Sequence, residues 1–212
     1  MSIFITFEGI DGCGKSTQIE LLKKNLDEHG YQVVLTREPG GTVISEKIRE
    51  LILSVENTGM STKCELLLYL AARAQHVDQK IIPELLKNKI VLSDRFEEAT
   101  YAYQGFGRGV SLDILLFINM YATSRVTPDL TFILDIPIEE SELRWKKSGK
   151  VRDRLEMNNK NFFKRVRKGY QDRAAMNPDR IVLLDGTLDI GVLEKQIIDK
   201  SIEVIRDKQF IY

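Results

Sequence analysis

The sequence is poor in the features that direct a chain to the cell exterior or to a membrane. It contains only two cysteines, Cys13 and Cys64, which are too few for a disulfide framework and suit a reducing compartment. No apolar run approaches the roughly 20 residues of a membrane span. The first residues, MSIFITFEGI, lack the basic segment of a signal peptide. These absences favour a cytoplasmic protein that binds no membrane.

An excess of charge of either sign is also missing. Lys+Arg and Asp+Glu both number 31, so the formal net charge is zero. A protein that binds mainly nucleic acid would usually carry a basic excess, so we expect no nucleic-acid partner and only a local anion site. The two histidines have no metal-ligand arrangement. We expect His29 at a helix end and His76 at the surface or in packing.

What the sequence does contain is an alternation of two kinds of segment. Apolar, β-branched runs predict strands over 3–7, 32–36, 89–93, 129–136 and 180–185. The segments between them predict helices over 16–29, 43–53, 62–87, 112–124, 139–147, 157–176 and 190–206. This alternation indicates a parallel sheet built from right-handed crossover units. Since we find no repeat, low-complexity tract or linker, we expect one α/β domain over 1–212.

The stretch FEGIDGCGKST follows the first predicted strand directly. Gly9, Gly14, Lys15 and Ser16 fit the phosphate-loop pattern G-x-x-x-x-G-K-[ST] between a strand and a helix. In such a loop the backbone N–H groups cradle phosphates, the lysine reaches the β- and γ-phosphates, and the hydroxyl binds Mg²⁺. The alternative is a glycine turn that only caps a helix.

The whole loop is therefore a candidate ATP site. The residues that we assign to ATP there are Gly9, Ile10, Asp11, Gly12, Cys13, Gly14, Lys15, Ser16 and Thr17. We expect Cys13 to be a spacer, with a thiol pKa lowered by the surrounding amides. A phosphate loop alone is compatible with GTPases, ATPases and small-molecule kinases. The remaining motifs are needed to distinguish between these classes.

Four further segments make that choice. They are REPGGT (37–42), YLAARAQH (69–76), VLSDRFEEATYAYQGFGRG (91–109) and KKSGKVRDRLE (146–156). In this order after a phosphate loop, they resemble the thymidylate kinase family of bacterial type, over essentially the whole chain. The resemblance implies a three-layer phosphate-loop kinase fold whose five-stranded parallel sheet is flanked by helices, with a short mobile lid at about 145–156. It also implies transfer of phosphate from ATP to dTMP with Mg²⁺, by a homodimer.

Asp94 and Arg95 end the third predicted strand. A carboxylate at this place can hold Mg²⁺ through water, so we assign the metal to Ser16 and Asp94. The adjacent guanidinium can bind two phosphate oxygens at once, and the resemblance implies that Arg95 binds the dTMP phosphate. The alternative explanation is a strand-end ion pair, and the loop upstream favours the functional one.

The other dTMP contacts come from the resemblance. It implies that Tyr69 stacks on thymine and that Arg73, one helical turn later, bonds the base, although their spacing alone favours core residues. Gln104 would read the base edge, and Tyr103 would exclude a 2′-hydroxyl. By itself, AYQGFGRG predicts a flexible glycine loop with a solvent-facing Arg108. The remaining predicted contacts are Glu38, Pro39, Arg49 and Thr100.

In phosphoryl transfer, a cationic side chain stabilises the charge on the transferred phosphoryl group. Positions 10–13 of the phosphate loop contain no basic residue. The predicted lid supplies candidates: Lys146, Lys147, Lys150, Arg152 and Arg154, with Gly149 for flexibility. We expect Arg152 to act there with help from Lys147, although such a basic run is more often a solvated turn. The predicted catalytic residues are thus Asp11, Lys15, Arg95, Lys147 and Arg152.

Three further lid assignments follow from the resemblance. Arg144 resembles the arginine that stacks on adenine, and Asp153 and Glu156 would brace the lid or the sugar. Asp11 would orient the acceptor or a magnesium-bound water.

Other functions remain open from the residues alone. The chain could be a kinase of another nucleoside monophosphate, or a nucleoside kinase that uses Glu38 as a base. A nucleotide switch would need no acceptor site. A GTPase would show N-K-x-D, which NNKNF (158–162) does not match. The apolar stretch ILLFINMYA (114–122) could form a dimer face or part of the core.

Overall fold

A single parallel sheet organises the chain. The structure is a computed structural model that describes residues 2–149 and 151–209. Its strands are β1 (Ile3–Glu8), β2 (Val33–Arg37), β3 (Ile90–Asp94), β4 (Leu130–Asp135) and β5 (Ile181–Asp185). They pair in the order β2-β3-β1-β4-β5, and every pairing is parallel. The predicted five-stranded parallel sheet is confirmed.

The helices lie between the strands as the periodicity predicts. They are α1 (Lys15–Glu28), α2 (Val43–Leu53), α3 (Thr62–His76), α4 (Ile82–Leu86), α5 (Glu97–Thr100), α6 (Leu112–Ala122), α7 (Ile138–Ser148), α8 (Lys160–Met176) and α9 (Ile190–Gln209). A π-helical turn over Val77–Ile81 joins α3 to α4, so the predicted segment 62–87 is nearly continuous. Within the described ranges, no helix has the length and apolarity needed to cross a membrane.

Strand burial follows position in the sheet. Every residue of the central strand β1 is buried, whereas the edge strand β2 is only half-buried. Because side chains alternate along a strand, Ile5 packs into the cluster that contains Leu22 of α1, while Phe4 packs with Val77 and Phe96 on the other face. Helices on both faces give the three layers of the predicted fold.

The segment after α5 differs from its sequence interpretation. AYQGFGRG reads as a flexible loop, but Tyr101–Gly107 is π-helical and almost entirely buried. Its glycines make room for neighbours: a Cβ at Gly107 would lie 2.7 Å from Cε2 of Phe162 on α8. Glycine here permits close packing of two helical segments. In the sequence alone, the same glycines indicate a loop, because the packing partner is not visible there.

Functional side chains gather at the carboxyl edge of the sheet. The phosphate loop follows β1, Glu38 follows β2 and Arg95 follows β3. Since β2, β3 and β1 are consecutive in the sheet, these three connections are neighbours in space. Ligands of open α/β sheets bind beyond this edge, so the fold places the predicted site residues where such a site is expected.

Candidate active site

The phosphate loop is held tightly against the sheet. Gly9 has φ 130°, and a Cβ there would lie 2.5 Å from the backbone oxygen of Leu134 on β4. Lys15, the first residue of α1, lies over the loop, where its Nζ donates to the carbonyl oxygens of Gly9 (3.1 Å) and Ile10 (3.3 Å). The loop thus has the backbone conformation that a phosphate-binding nest requires.

Cys13 behaves differently from its sequence interpretation. Its side chain is buried in the core together with that of Ile10, and its Sγ accepts from Lys15 Nζ at 3.7 Å. Burial raises the pKa of the Cys13 thiol, although Lys15 and Arg95 act in the opposite direction. The expectation of a lowered thiol pKa is therefore wrong, while its interpretation as a spacer agrees with the buried position.

Ser16 and Asp94 meet across the carboxyl edge of the sheet. The Ser16 hydroxyl donates to Oδ2 of Asp94 at 3.2 Å. One hydroxyl and one carboxylate beside a phosphate loop are the oxygen ligands that Mg²⁺ uses when substrate phosphates complete its shell. The donor set thus fits the predicted metal.

Arg95 is fixed from three directions. Its Nη2 donates to Asp11 Oδ1 at 2.7 Å, its Nη1 donates to the Tyr170 hydroxyl at 3.1 Å, and its guanidinium lies 5.2 Å from the centre of the Tyr103 ring. Burial acts to raise the pKa of Asp11, but Arg95 and Lys15 outweigh it and lower that pKa below its ordinary value. The result is a positive group held directly opposite the phosphate loop.

Arg73 is the most completely bonded side chain of the site. It is 2% exposed and donates to Glu38 Oε2 (2.7 Å), Thr100 Oγ1 (2.8 Å), Asn119 Oδ1 (2.7 Å) and the Phe96 carbonyl (2.7 Å). The guanidinium has five N–H groups, and four of them are occupied by these bonds. Arg73 therefore joins α3 to the segments after β2 and β3, and at most one donor remains for a ligand.

Glu38 is buried between two partners. Its second oxygen accepts from Nδ1 of His76 at 2.9 Å, and Nε2 of His76 lies 2.6 Å from the Thr36 hydroxyl. Burial acts to raise the pKa of Glu38, but Arg73 and His76 outweigh it and lower that pKa. His76 is therefore a buried network residue, and Glu38 is not available as a proton acceptor for a substrate hydroxyl.

One cavity of about 700 Å³ contains most of the predicted site. Every predicted dTMP residue lines it: Glu38, Pro39, Arg49, Tyr69, Arg73, Arg95, Thr100, Tyr103 and Gln104. So do seven of the ATP and metal residues: Asp11, Gly12, Gly14, Lys15, Ser16, Thr17 and Asp94. A phosphate loop and a second polar cluster thus face each other across one space, which is large enough for a nucleotide.

Comparison with known proteins decides the family. The family profile described as thymidylate kinase matches residues 7–197. The chain belongs to the thymidylate kinase family. A thymidylate kinase of an Exiguobacterium species is 44% identical over 201 residues, covering 95% of this chain and 94% of that protein. That of Geotalea daltonii is 45% identical over 196 residues, covering 90% and 92%.

Structural comparison agrees with this membership. The crystal structure of thymidylate kinase from Ehrlichia chaffeensis is similar with a TM-score of 0.76 and 38% sequence identity, covering 93% of this chain and 97% of that one. The predicted fold class and family are therefore confirmed. As a member of the thymidylate kinase family, the chain is a nucleoside monophosphate kinase, a phosphotransferase.

The predicted lid cations do not line the cavity. Lys147 and Arg152 are exposed, and neither bonds to any residue that the structure describes. Lys150 lies outside the described residues. Arg144 donates to Glu140 Oε1 (2.7 Å) and to the carbonyl oxygens of Gly12 (3.4 Å) and Gly186 (3.1 Å), which places it beside the phosphate loop.

Arg154 is instead an anchor of the lid segment. It is buried, its Nε donates to the Ile52 carbonyl at 2.7 Å, and its Nη2 lies 2.8 Å from Glu65 Oε2. Asp153 and Glu156 form a capping box, in which Asp153 Oδ1 accepts from the amide of Glu156 (3.0 Å) and Glu156 Oε2 accepts from that of Asp153 (2.8 Å). Burial raises the pKa of Glu156 to about 7.

Several functional neighbours escape sequence reasoning. Glu8 accepts from the Tyr170 hydroxyl (3.1 Å) and from the amide of Phe96 (2.7 Å), and so supports the bonds of Arg95 from below. Burial raises the pKa of Glu8 to about 8. Glu65 contacts Gln104 on the cavity wall. In the sequence, Glu8 ends an apolar run and Glu65 lies among apolar helix residues. Such a carboxylate indicates that a buried partner exists but does not identify the partner.

Proposed function

We propose that this chain transfers the γ-phosphoryl group of ATP to dTMP, giving ADP and dTDP, a step toward dTTP. The observation that carries the proposal is the shared cavity, where a phosphate loop faces Arg95 and Gln104. Membership of the thymidylate kinase family supports the choice of acceptor. Both reacting groups would then approach each other in line within one enclosed space.

On the ATP side, the amides of residues 9–17 would cradle the phosphates at the positive end of α1. Lys15 would leave its carbonyl partners for the β- and γ-phosphates. Arg144 would stack on adenine, and its bonds to Gly12 and Gly186 beside the phosphate loop support this role. Mg²⁺ would be held by Ser16, by Asp94 through water and by phosphate oxygens, and would neutralise charge on the transferred group.

On the dTMP side, Arg95 would bind the phosphate, and its bond to Asp11 supports that geometry. Tyr69 would stack on thymine, and Gln104 would meet the polar edge of the base. Tyr103 would lie beneath the sugar and leave no room for a 2′-hydroxyl. Glu38 would act through Arg73, because its carboxylate is bonded to that guanidinium.

The transferring phosphate needs one more cation, and Arg152 with Lys147 would supply it on closure of the lid at about 145–156. Their exposure supports this role, since neither side chain has a described partner to leave. Asp11 would orient the acceptor or a magnesium-bound water. General-base catalysis is unnecessary, because a phosphomonoester oxygen is already deprotonated at neutral pH.

We further propose that the chain is a single domain that acts as a cytoplasmic homodimer. An apolar face of α6 supports the dimer; its exposed side chains are Ile114, Leu116, Phe117, Met120 and Tyr121. A surface of this kind marks a protein contact. The zero net charge agrees with the absence of a nucleic-acid or membrane partner.

The test offers dTMP, dUMP, dCMP, AMP and thymidine separately with ATP and Mg²⁺ and follows ADP release. We expect the largest kcat/KM with dTMP, and no turnover by a Lys15→Ala control. Turnover of thymidine without dTMP would instead identify a nucleoside kinase. Calorimetry with dTMP alone adds a direct check, because a pure ATP-dependent switch would bind no dTMP at millimolar concentration.

A further inference from the structure

Glu65 is a buried carboxylate to which the proposed reaction assigns no role. It lies on α3, is 1% exposed and accepts from Gln104 Nε2 at 3.1 Å. Arg108 donates to both of its oxygens at 3.2 Å, and Nη2 of Arg154 lies 2.8 Å away. Two arginines and one amide thus converge on a single carboxylate directly behind Gln104, which lines the cavity.

The charge state of Glu65 determines which hydrogen bonds it can form. Burial acts to raise its pKa, but the bonds from Arg108 and Gln104 outweigh that effect and lower the pKa, so the carboxylate is ionised at neutral pH. An ionised carboxylate accepts hydrogen bonds and donates none. The amide group of Gln104 must therefore present its NH₂ to Glu65.

This constraint leaves the other end of the amide for the cavity. Gln104 lines the cavity, and no residue in the described part of the chain donates to its Oε1. A glutamine without such a partner could rotate its amide by 180° and present either its NH₂ or its oxygen to a ligand. Because Glu65 holds the NH₂ group, Gln104 presents its oxygen, an acceptor, to the cavity.

We infer that Glu65 is a positioning residue that sets base specificity by holding the Gln104 amide with its carbonyl oxygen toward the bound base. The inference rests on the proposed function, in which Gln104 meets the base edge. Thymine and uracil carry N3–H, which donates to that oxygen. Cytosine has an unprotonated N3, so two acceptors would face each other and leave both unsatisfied.

The experiment uses Glu65→Gln, which replaces the carboxylate by an amide of nearly the same shape. An amide at 65 can donate as well as accept, so Gln104 can turn and present its NH₂ to cytosine N3. The readout is the ratio of kcat/KM for dUMP to that for dCMP, because these nucleotides both lack the methyl group and differ only at N3 and C4.

We expect this ratio to fall roughly 10- to 100-fold in Glu65→Gln, as for the gain of one matched hydrogen bond in a buried site. The ratio of dTMP to dUMP should stay within about threefold of wild type, since the amide does not contact the methyl group in this scheme. The matched control is Arg108→Met, which removes a cation from the same cluster but leaves an acceptor-only carboxylate. Its dUMP-to-dCMP ratio should remain near that of wild type.

Glu65→Gln leaves two arginines without a counter-charge, so a second variant, Glu65→Gln/Arg154→Met, removes one of them and protects folding. An unchanged dUMP-to-dCMP ratio in either folded variant would overturn the inference. Gln104→Leu tests the role of Gln104 separately from that of Glu65. Loss of discrimination in Gln104→Leu but not in the Glu65 variants refutes only the role of Glu65, whereas a wild-type enzyme without dTMP turnover refutes the proposed function itself.

Discussion

The buried ion pair between Arg73 and Glu38 gives Arg73 a role in stability besides any contact with substrate. We predict that Arg73→Met destabilises the free protein strongly. The variant removes a guanidinium that bonds Glu38, Thr100, Asn119 and the Phe96 carbonyl, all at 2.7–2.8 Å. Methionine fills the space of the aliphatic part of the side chain without a charge, and it loses the guanidinium that lies 5.3 Å from the centre of the Phe96 ring.

The magnitude follows from the buried charge that remains. Glu38 would be left in the interior with the His76 imidazole as its remaining side-chain partner, and breaking a buried pair on one side costs about 3–5 kcal/mol. For a chain of this size, each kcal/mol moves the thermal midpoint by about 2–4 °C, so the expected shift is roughly 6–20 °C. Urea unfolding followed by far-ultraviolet circular dichroism, without nucleotide, measures the free energy directly.

Two controls make the result interpretable. Lys24→Met removes an exposed partner of Glu28 at 3.9 Å, and an exposed pair of this kind is worth at most about 1 kcal/mol. The double variant Arg73→Met/Glu38→Gln should recover part of the loss, because it removes the unpaired charge. A loss in Arg73→Met no larger than in Lys24→Met would refute the reasoning and leave Arg73 as a substrate ligand only.

Three further predictions concern acidity, transfer and assembly. Burial raises the pKa of Glu8 to about 8 against the pull of Arg95, so the folded state binds this proton more tightly than the unfolded state. Stability from this group is complete below its ordinary pKa and is lost as the pH rises, by about 2–3 kcal/mol between pH 5.5 and 7.5, and Glu8→Gln should abolish that loss in urea unfolding. Arg152→Ala should lower kcat in steady-state assays by a factor on the order of 10³, with little change in KM for dTMP. Phe117→Glu, at a side chain 71% exposed, should turn a dimer into a monomer in sedimentation.

Each of these has a contrary outcome, and the last two have a matched control. A Glu8→Gln protein whose stability falls with pH in parallel with wild type would show that Glu8 is ionised when folded. Arg206→Ala, at an exposed arginine of α9, should leave kcat unchanged, and an equal kcat in Arg152→Ala would exclude Arg152 from transfer. Val192→Glu, also exposed on α9, should not alter assembly. If wild type sediments as a monomer, α6 is not a dimer face.

Periodicity predicted the architecture well because it reports local burial. The run IFITF is apolar at four of its five positions, as expected for a strand covered on both faces, and β1 is buried throughout. The π-helical turn at Tyr101–Gly107 could not be predicted in this way. Gly107 packs against the Phe162 ring of a helix more than fifty residues later, and that contact has no counterpart in the local pattern.

Charged residues show the same division more sharply. Arg152 and Arg154 stand two positions apart in one basic segment, and nothing in the letters distinguishes them. The structure buries Arg154 against Glu65 and the Ile52 carbonyl and leaves Arg152 exposed. Which of two similar cations is an anchor and which is available to a ligand depends on partners from α2 and α3.

By itself, the sequence determined the strand–loop–helix unit of the phosphate loop, the parallel sheet and the family. Each of these depends on the backbone conformation that contiguous residues allow or on the spacing of apolar residues along the chain. Both can be taken directly from the sequence. Only the tertiary structure decided that Arg73 is bonded to Glu38, that Glu8 supports Arg95 through Tyr170, and that Glu65 orients Gln104. The energy of a buried polar group depends on the few partners within about 3 Å of it, and folding brings those partners from distant parts of the chain.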